Sequence, residues 1–312
     1  MNKSSDFALE VFRTTGEDEH NLTDPDVAHL LVHENDVISS HELPGLHVSV
    51  ESGKDEVVMD FSVDAGIIIK KPVHLCFGVM PESGKQQIRM KVNIGDGAKV
   101  AVKSHCTFPF AVDILHLMDA EITVGENAEY YYFERHIHSD QGGVTVVPKA
   151  KVILKDHARF NTEFELLKGR VGKIDITYET ECGAHSVMEM KARISGSGDD
   201  EIKINEIGHL KGEHSRGVLT SLIALKDNAS AEIYNKLTAT AAYARGHVDC
   251  KEIIRGNGKA AAIPVVEVNH PLAHITHEAA IGSVNTRQLE TLMSRGLNED
   301  DASDLIIQGM LS

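Results

Sequence analysis

Tryptophan is absent from the 312 residues of this chain, and aromatic residues make up only 5% of it. Hydrophobic residues still amount to 42%, enough for a substantial core built from layers of aliphatic side chains. No run of about 18 apolar residues occurs, which argues against a transmembrane helix. The opening, MNKSSDFALEVFRTTGEDEH, lacks the apolar centre of a signal peptide. We therefore expect a soluble, cytoplasmic protein with no membrane partner.

Basic residues are also in short supply, since 31 Lys and Arg stand against 47 Asp and Glu for a formal charge of −16. A phosphate backbone would be repelled, which argues against nucleic acid as a partner. No G-x-x-x-x-G-K-[ST] phosphate loop occurs, so any ATP hydrolysis must take place in a partner protein.

Cysteine is scarce, and the four present form no C-x-x-C pair. This argues against a zinc knuckle, a thioredoxin-like redox motif and a disulfide framework. Taken alone, each cysteine is expected to be a small buried hydrophobic residue. Cys76 and Cys106, one repeat apart, are expected to stack on each other.

Cys250, in GHVDCKEIIRG, departs from this pattern because charged residues flank it. There Lys251 or Arg255 would lower the pKa of the thiol and favour the thiolate.

Strand patterns dominate residues 27–283, where segments such as LHVSVES and QIRMKVNIG alternate apolar and polar residues. A strand, a tight turn and an alanine recur at a spacing of about thirty residues. This period predicts a solenoid, best fitted by a parallel β-helix whose coils bury their inner faces by stacking. A β-sandwich or barrel with hairpin turns is the alternative. The alanines that mark the repeat are Ala98, Ala128, Ala158, Ala229 and Ala260.

Helical patterns flank the strands on both sides. Residues 1–26 hold a weakly amphipathic helix, roughly Ser5 to Thr14, and an acidic loop. Residues 284–312 predict a helical hairpin, with one helix opening at Asn285 or Thr286 and ending at Gly296, and a second capped by Asn298. An apolar stripe on the second helix would either cap the solenoid or dock another protein. Its residues are Ala302, Leu305, Ile306 and Met310.

The stretch THEAAIGSVNTRQLETLMSRGLNEDDASDLIIQGML, together with RGHVDCKEIIRG, resembles the SufB/SufD family of iron–sulfur cluster assembly scaffold proteins. The match is strongest from about Ser215 to the end, where H-E-A, S-R-G-L and L-I-I-x-G follow one another. The chain is shorter than typical full-length members and lacks their long amino-terminal helical region. It therefore resembles a minimal member of the family.

The resemblance implies a right-handed parallel β-helix that dimerises near its carboxy-terminal coils, as a homodimer or with a paralogous subunit. It also implies a complex with a SufC-like ABC-type ATPase at the helical end, residues 284–312. A sulfur donor and apoprotein acceptors would be further partners. The implied cofactor is a transient iron–sulfur cluster. The implied function is a scaffold that builds and transfers this cluster and is not itself an enzyme.

The same resemblance assigns site residues. Cys250 matches the family's essential sulfur carrier and cluster ligand, and His277 and Glu278 match its His-Glu pair. Thr276 departs from the carboxylate that related chains often have, so no role is transferred to it. Cys182 is only a weak match for a separate sulfur-accepting cysteine. A mixed set of thiolate, imidazole and carboxylate suits a cluster that must be released.

The spacing of these residues suggests how they meet. Cys250 and Glu278 lie 28 residues apart, close to the repeat, so they are expected at similar positions on adjacent coils. His277 and Glu278 would point to opposite sides of a strand. We therefore predict a site across a homodimer interface, with Cys250 and Glu278 from one chain and His277 from the other.

Other histidines leave two alternative functions open. His136 and His138 form an H-x-H pair that resembles a cupin metal site, with Asp140 as the nearest acid, although outer-face histidines would show the same pattern. His270 and His274 lie near His277 and are candidate secondary ligands. The alternatives to a scaffold are therefore a cupin-like metal-binding protein and a β-helix enzyme acting on carbohydrate. A carbohydrate-active enzyme normally binds sugar rings on aromatic side chains, and a chain without tryptophan has few residues suited to this.

Overall fold

The computed structural model describes residues 9–10, 12–53 and 56–312. Nineteen strands follow one another along the described chain. They are β1 His29–His33, β2 Asp36–His41, β3 Leu46–Ser52, β4 Val57–Val63, β5 Val73–Gly78, β6 Ser83–Ile94, β7 Lys99–Phe108, β8 Asp113–Val124, β9 Glu129–His138, β10 Val144–Leu154, β11 Arg159–Lys168, β12 Lys173–Cys182, β13 Val187–Gly196, β14 Glu201–Leu210, β15 Arg216–Leu225, β16 Ser230–Ala239, β17 Arg245–Ile254, β18 Lys259–Val268 and β19 His274–Gly282. The described chain also contains a 3₁₀ turn, Glu19–Leu22, in its amino-terminal segment, and the helices α1 Thr286–Met293 and α2 Glu299–Leu311 near its carboxy terminus.

The strands form two sheets that face each other. Sheet A has ten strands in the order β19-β17-β15-β13-β11-β9-β7-β5-β1-β2, and sheet B has nine in the order β18-β16-β14-β12-β10-β8-β6-β4-β3. Apart from β1–β2 and β3–β4, which are antiparallel, neighbouring strands of the described chain are parallel. The predicted parallel β-helix is therefore confirmed and has about eight coils, and the hairpin-based sandwich or barrel is wrong.

Alternation of side chains explains why these sequences form strands with one buried face. In β14, Ile202 and Ile204 are each 1% exposed, whereas Lys203 between them faces solvent. The parallel register places like residues on one another: Ile202 pairs with Ile174 of β12, and Ile204 pairs with Ile176. Each coil thus buries its inner face on the next, and aliphatic layers fill the space between the sheets.

The alanine repeat marks one corner of the coils. Ala98, Ala128 and Ala158 are completely buried in the turns that lead from sheet B back to sheet A. Ala229 lies at the other corner, between β15 and β16, and Ala260 lies within β18. The predicted grouping of all five alanines is therefore wrong in part, because the coil has two corners with similar turn sequences.

A column of stacked rings runs along the corner between sheets B and A. Neighbouring rings of His157, His185, His214 and Tyr243 have centroids 4.7, 4.9 and 4.7 Å apart. All four residues have φ between 57° and 60°, a left-handed conformation that is uncommon outside glycine. Stacking along the column offsets part of the cost of this backbone conformation.

The amino-terminal segment covers the outer face of sheet A near its first strands. Its backbone is helical at residues 9–10 and 12–14, whereas residues 5–8 and 11 of the predicted helix lie outside the described residues. Phe12 is completely buried against Leu31 and Cys76. Cys106 belongs instead to the main core and pairs with Phe77. The predicted stacking of Cys76 on Cys106 is therefore wrong, because the two side chains point to opposite faces of the sheet.

The carboxy-terminal hairpin is confirmed, with the predicted caps. The Asn285 side chain accepts from the backbone N–H of Gln288 at 3.1 Å, and that of Asn298 accepts from Asp301 at 2.8 Å. Gly296, at φ 99°, ends the first helix in the left-handed region. Across the described residues, no helix combines the length and the apolar character that crossing a membrane requires.

Helix α2 packs on the outer face of sheet A through a stripe that matches the predicted one only in part. Ala302, Ile307 and Leu311 are buried, and Ile307 and Leu311 pack with Ala224 of β15. Leu305 is 48% exposed. The predicted stripe is thus confirmed at Ala302, which is buried, and at Met310, which packs against this group, and it is wrong at Leu305.

Candidate functional site

Cys250 lies in β17, the second-last strand of sheet A, and its side chain is completely buried. Val248, Cys250 and Glu252 share the inner face of this strand and are at most 1% exposed. Asp249 and Lys251 lie between them and form an ion pair of 2.7 Å on the outer face. Charged neighbours therefore do not mean an exposed thiol, because successive side chains of a strand point to opposite sides.

A small group of polar residues surrounds the thiol inside an otherwise apolar core. The Asn235 Nδ2 atom donates to Ser221 Oγ at 2.8 Å and lies 3.6 Å from Cys250 Sγ. Ser221 is directly paired with Cys250 in sheet A, whereas Asn235 belongs to β16 in sheet B and pairs with Glu206. We call Cys250, Ser221, Asn235 and Glu252 the Cys250 pocket. This group of side chains joins the two sheets across the interior.

Burial controls the charge of the pocket. It raises the pKa of the Cys250 thiol to about 12, and the nearby Glu252 carboxyl group adds to the increase. Burial likewise raises the pKa of Glu252 to about 7 and that of Glu206 to about 8. The predicted lowering of the thiol pKa is wrong, since Lys251 pairs with Asp249 and Arg255 pairs with Asp300.

The register of the last strand decides which predicted ligands share a face with Cys250. Cys250 pairs with Ala279, Asp249 with Glu278 and Val248 with His277. His277 therefore lies on the face of β19 that matches Cys250, and Glu278 lies on the opposite one. The expected alignment of Cys250 with Glu278 is wrong. Paired residues of β17 and β19, such as Arg245 and His274, are 29 residues apart and not 28, so Ala279 lies beside Cys250.

The last coil leaves one end of the solenoid open. Strands β18 and β19 each end their sheet and have one hydrogen-bonded neighbour. His277, Glu278 and Ala279 are exposed. Large apolar side chains are exposed there too, namely Ile263 at 43%, Val268 at 46%, Leu272 at 47% and Ile281 at 46%. Unpaired strand edges next to exposed apolar residues are typical of a protein interface.

The secondary candidates do not reach the pocket. His274 lies five residues before the partner of Cys250, a distance of roughly 16 Å along a strand. His270 lies in the turn before β19, where its Nδ1 accepts from the backbone of Leu272 at 3.1 Å. Cys182 is 1% exposed in β12, and burial raises its pKa to about 12. Its strand neighbours are Leu154 and Leu210, which fits a structural role.

A second polar cluster lies deeper in the solenoid. His136 and His138 are 1% and 5% exposed and face inward, so they are not the outer-face pair that the H-x-H pattern allowed. The acid beside them is Glu134, whose Oε1 lies 2.8 Å from His136 Nε2; the expected Asp140 is wrong. Sequence analysis missed Glu134, although the inward-facing pattern E-x-H-x-H in β9 contains it.

Cys106 and His116 complete this group, which we call the histidine cluster. Ligand atoms of Cys106, His116 and His136 all lie within 4.8 Å of one another. Burial lowers the pKa values of His116 and His136 to about 3, so both imidazoles are neutral at pH 7. His116 comes from sheet B, and its meeting with Cys106 and His136 of sheet A was not predictable from spacing.

The fold and the Cys250 pocket define a class of protein: a parallel β-solenoid that carries a buried thiol and an imidazole on one face of its open end. A family model described as "SUF system FeS cluster assembly, SufBD core domain" matches residues 79–310. The chain belongs to this SufBD family of iron–sulfur cluster assembly proteins. The resemblance stated from the sequence is thereby confirmed.

Similar proteins carry the same description. An iron–sulfur cluster assembly SufBD family protein of Methanocaldococcus jannaschii is 34% identical over 309 residues, covering 97% of this chain and 96% of that protein. One from Pyrococcus horikoshii is 32% identical over 309 residues, with 99% and 94% coverage. The iron–sulfur cluster assembly protein SufB of Bacillus subtilis is 24% identical over 260 residues, which are 80% of this chain and 54% of that protein.

Proposed function

We propose that this chain is a scaffold on which a nascent iron–sulfur cluster is held and from which it is transferred. The observation that carries this proposal is the placement of Cys250 and His277 on matching faces of the last two strands of sheet A, at the open end. A thiolate and an imidazole are both ligands of iron, and a site with few thiolates releases its cluster more easily than four thiolates would.

The residues around Cys250 fit a cationic cargo. Both carboxyl oxygens of Glu252 are buried without a hydrogen-bond partner, and so is Oδ1 of Asn235. Unpartnered buried oxygens are costly in an empty core, and a nearby cation would satisfy them. Metal binding also displaces the proton of a thiol whose pKa burial has raised, so the thiol is unreactive until the cargo arrives.

A homodimer joined at the open ends is the assembly that we propose. It would cover the unpaired edges of β18 and β19 together with Ile263, Val268 and Ile281. Two-fold symmetry would bring the Cys250–His277 pair of each chain to one interface. The register of β17 and β19 makes Cys250 and His277 the two ligands that one chain contributes, in place of the predicted Cys250 and Glu278. Glu278 stays a predicted ligand, and it reaches the site only if the last strand bends at the interface.

The energy source is a bound ABC-type ATPase, and we place its docking site on the carboxy-terminal hairpin. Helices α1 and α2 border an open groove of about 890 Å³ lined by Leu292, Leu305, Ile306 and Met310. Ile253 of β17 also lines the groove, and Met310 packs against the cluster of Ala224, Ile307 and Leu311, whereas Leu305 is 48% exposed. In this proposal the chain itself is not an enzyme, and it works in the cytoplasm, where its free cysteines stay reduced.

Anaerobic reconstitution tests the scaffold function. The dimer is loaded with ferrous iron and sulfide, desalted and mixed with an apo-ferredoxin, while absorption and iron content of both proteins are followed. We expect a brown chromophore on this chain that moves to the acceptor. The same mixture with an excess of chelator separates direct transfer from release into solution. A chain that takes up no cluster, or holds it without transfer, would overturn the proposal.

A further inference from the structure

The histidine cluster is independent of the Cys250 pocket and calls for its own explanation. Four of its five members are candidate ligands and come from three consecutive strands: Cys106 from β7, His116 from β8, and Glu134 and His136 from β9. Cys106 and His136 are directly paired across sheet A. His116 reaches them from the facing sheet, and the four side chains are at most 1% exposed. Four polar side chains therefore converge where bulk solvent does not reach them.

Hydrogen bonds fix the proton positions of two imidazoles in this cluster. His138 Nδ1 lies 3.0 Å from the carbonyl oxygen of Arg170, which can only accept, so the Nδ1 atom carries the proton. In neutral His138, Nε2 is then an acceptor, and it receives a bond from His136 Nδ1 at 3.2 Å. His136 Nε2 is left with a lone pair that points toward Glu134 Oε1, 2.8 Å away.

Two acceptors thus face each other, so a proton or a metal ion must lie between them. Cys106 Sγ is 3.8 Å from the same Glu134 oxygen. Both ring nitrogens of His116 and the second oxygen of Glu134 have no partner. A proton on Glu134, a proton on the His136–His138 pair or a metal ion resolves the contact between acceptors. A metal ion at this position would also give His116 a partner.

We propose that Cys106, His116, His136 and Glu134 bind one divalent transition-metal ion of the zinc type. Thiolate, two imidazoles and a carboxylate are ligands that Zn²⁺ takes in four-coordinate sites. The donors of such a site lie roughly 3.3–3.7 Å apart. The donors of Cys106, His116 and His136 lie within 4.8 Å of one another and need to approach by only about 1 Å, whereas Glu134 Oε1, at 2.8 Å from His136 Nε2, needs to move slightly away. The thiolate and the carboxylate together compensate the double positive charge. His138 holds His136 in the required orientation, as outer partners of metal-bound histidines do.

The site is closed, which indicates a structural role. No ligand position faces solvent, and the donors come from both sheets, so the ion would join β7 and β9 to β8 across the interior. A closed site with four protein ligands stabilises a fold and leaves no position for a substrate. The ion would be bound during folding, because the finished solenoid offers no path to it.

Cobalt(II) supplied during expression tests this site, since it replaces zinc and reports its ligands. The chain is produced in cobalt-supplemented medium with Cys76, Cys182 and Cys250 all changed to serine, so that Cys106 is the remaining thiol. We expect one cobalt per chain, the visible bands of tetrahedral cobalt and a thiolate-to-cobalt charge-transfer band. A folded protein without that band, or with metal well below one equivalent, would overturn the site and leave a proton on Glu134 or on the His136–His138 pair as the explanation.

Single substitutions then assign the ligands. His116→Phe keeps an aromatic ring beside Phe108, whose ring centroid is 5.1 Å from that of His116, and removes the metal donor. We expect metal content to fall by about tenfold or more. His157→Phe, in the exposed ring column, is the matched control and should retain the metal. If His116→Phe binds as much cobalt as the control with an unchanged spectrum, His116 is not a ligand and the proposed set is wrong.

Discussion

The side-chain amide of Asn235 and the thiol of Cys250 meet across the interior of the solenoid, with Nδ2 3.6 Å from Sγ. Asn235 belongs to sheet B and Cys250 to sheet A, so this contact links the sheets beside the last coil. The same amide group donates to Ser221 at 2.8 Å. The site is therefore part of the packed core on one side and opens toward the unpaired end of the fold on the other.

The buried carboxyl group of Glu206 should make stability depend on pH. Burial raises its pKa from 4.5 to about 8, so the folded chain holds a proton that the unfolded chain loses first. Its contribution is fully present below pH 4.5 and is lost as the pH rises toward 8. We expect the free energy of unfolding of Glu206→Gln to decrease less than that of the parent chain between these pH values. At the upper end the variant should be more stable than the parent by on the order of 1–3 kcal/mol, relative to their difference at low pH.

Urea denaturation at several pH values measures this effect. Glu232→Gln on neighbouring strand β16 is the control, because its carboxyl group is exposed. Parallel pH profiles for Glu206→Gln and the parent chain would show that Glu206 is not a buried neutral acid in the folded protein.

Leu305→Asp should weaken binding of the ATPase without unfolding the chain. Leu305 is 48% exposed and lines the groove between α1 and α2, so a charge there opposes burial by a partner. Loss of one buried leucine corresponds to about 1.5–3 kcal/mol, or a dissociation constant at least about tenfold higher. Co-purification and calorimetry with the ATPase measure it. Ile153→Asp, at a site 52% exposed in β10, is the control. If Leu305→Asp and Ile153→Asp bind the ATPase equally well, the groove is not part of the interface.

Ile281→Lys should convert the dimer to a monomer. Ile281 is 46% exposed on the last strand of sheet A, where we place the interface. A lysine there would have to bury its charge in the dimer, which is costly without a paired acid. Sedimentation velocity measures the assembly state, with Ile153→Lys as the control. A parent chain that is monomeric, or an Ile281→Lys chain that stays dimeric, would place the interface elsewhere.

Two mixed dimers test whether Cys250 acts with His277 of its own chain. Each mixed dimer retains one Cys250 and one His277, and the two dimers differ in whether these residues lie on the same chain. The first pairs Cys250→Ala with His277→Ala, and the second pairs the unchanged chain with the double variant. The register places the two ligands on matching faces of one chain, so only the second dimer keeps an intact pair.

We expect the second mixed dimer, purified through two different tags, to bind more iron and sulfide than the first. The opposite order would show that Cys250 works with His277 of the partner subunit. Equal contents in the two mixed dimers would show that the two residues do not act as a pair.

The solenoid was predictable because its cause is local and repeated. Alternating Val and Ile residues specify strands, and the alanines at one corner, such as Ala98 and Ala128, recur once per coil. Register was not predictable at the accuracy that the site demands. A coil of 29 residues in place of 28 moves Glu278 from the face of Cys250 to the opposite one, since the side-chain period of a strand is two.

The environment of the cysteines was harder to infer than their presence. Charged neighbours suggested an exposed, acidic thiol at Cys250, but the charges of Asp249 and Lys251 neutralise each other on the outer face. The histidine cluster depends on His116 crossing from sheet B to Cys106, a contact between facing strands that neither period nor motif encodes.

Cluster content after replacement of single cysteines tests the central claim most directly. Cys250→Ser and Cys182→Ser each remove a buried thiol whose pKa burial raises to about 12, so the two changes are matched in chemistry and environment. After anaerobic reconstitution, iron and acid-labile sulfide per chain are measured beside circular dichroism. We expect Cys182→Ser to match the parent chain and Cys250→Ser to lose most of its cluster while remaining folded. A folded Cys250→Ser chain with the cluster content of the parent would contradict Cys250 as the ligand on which the scaffold depends.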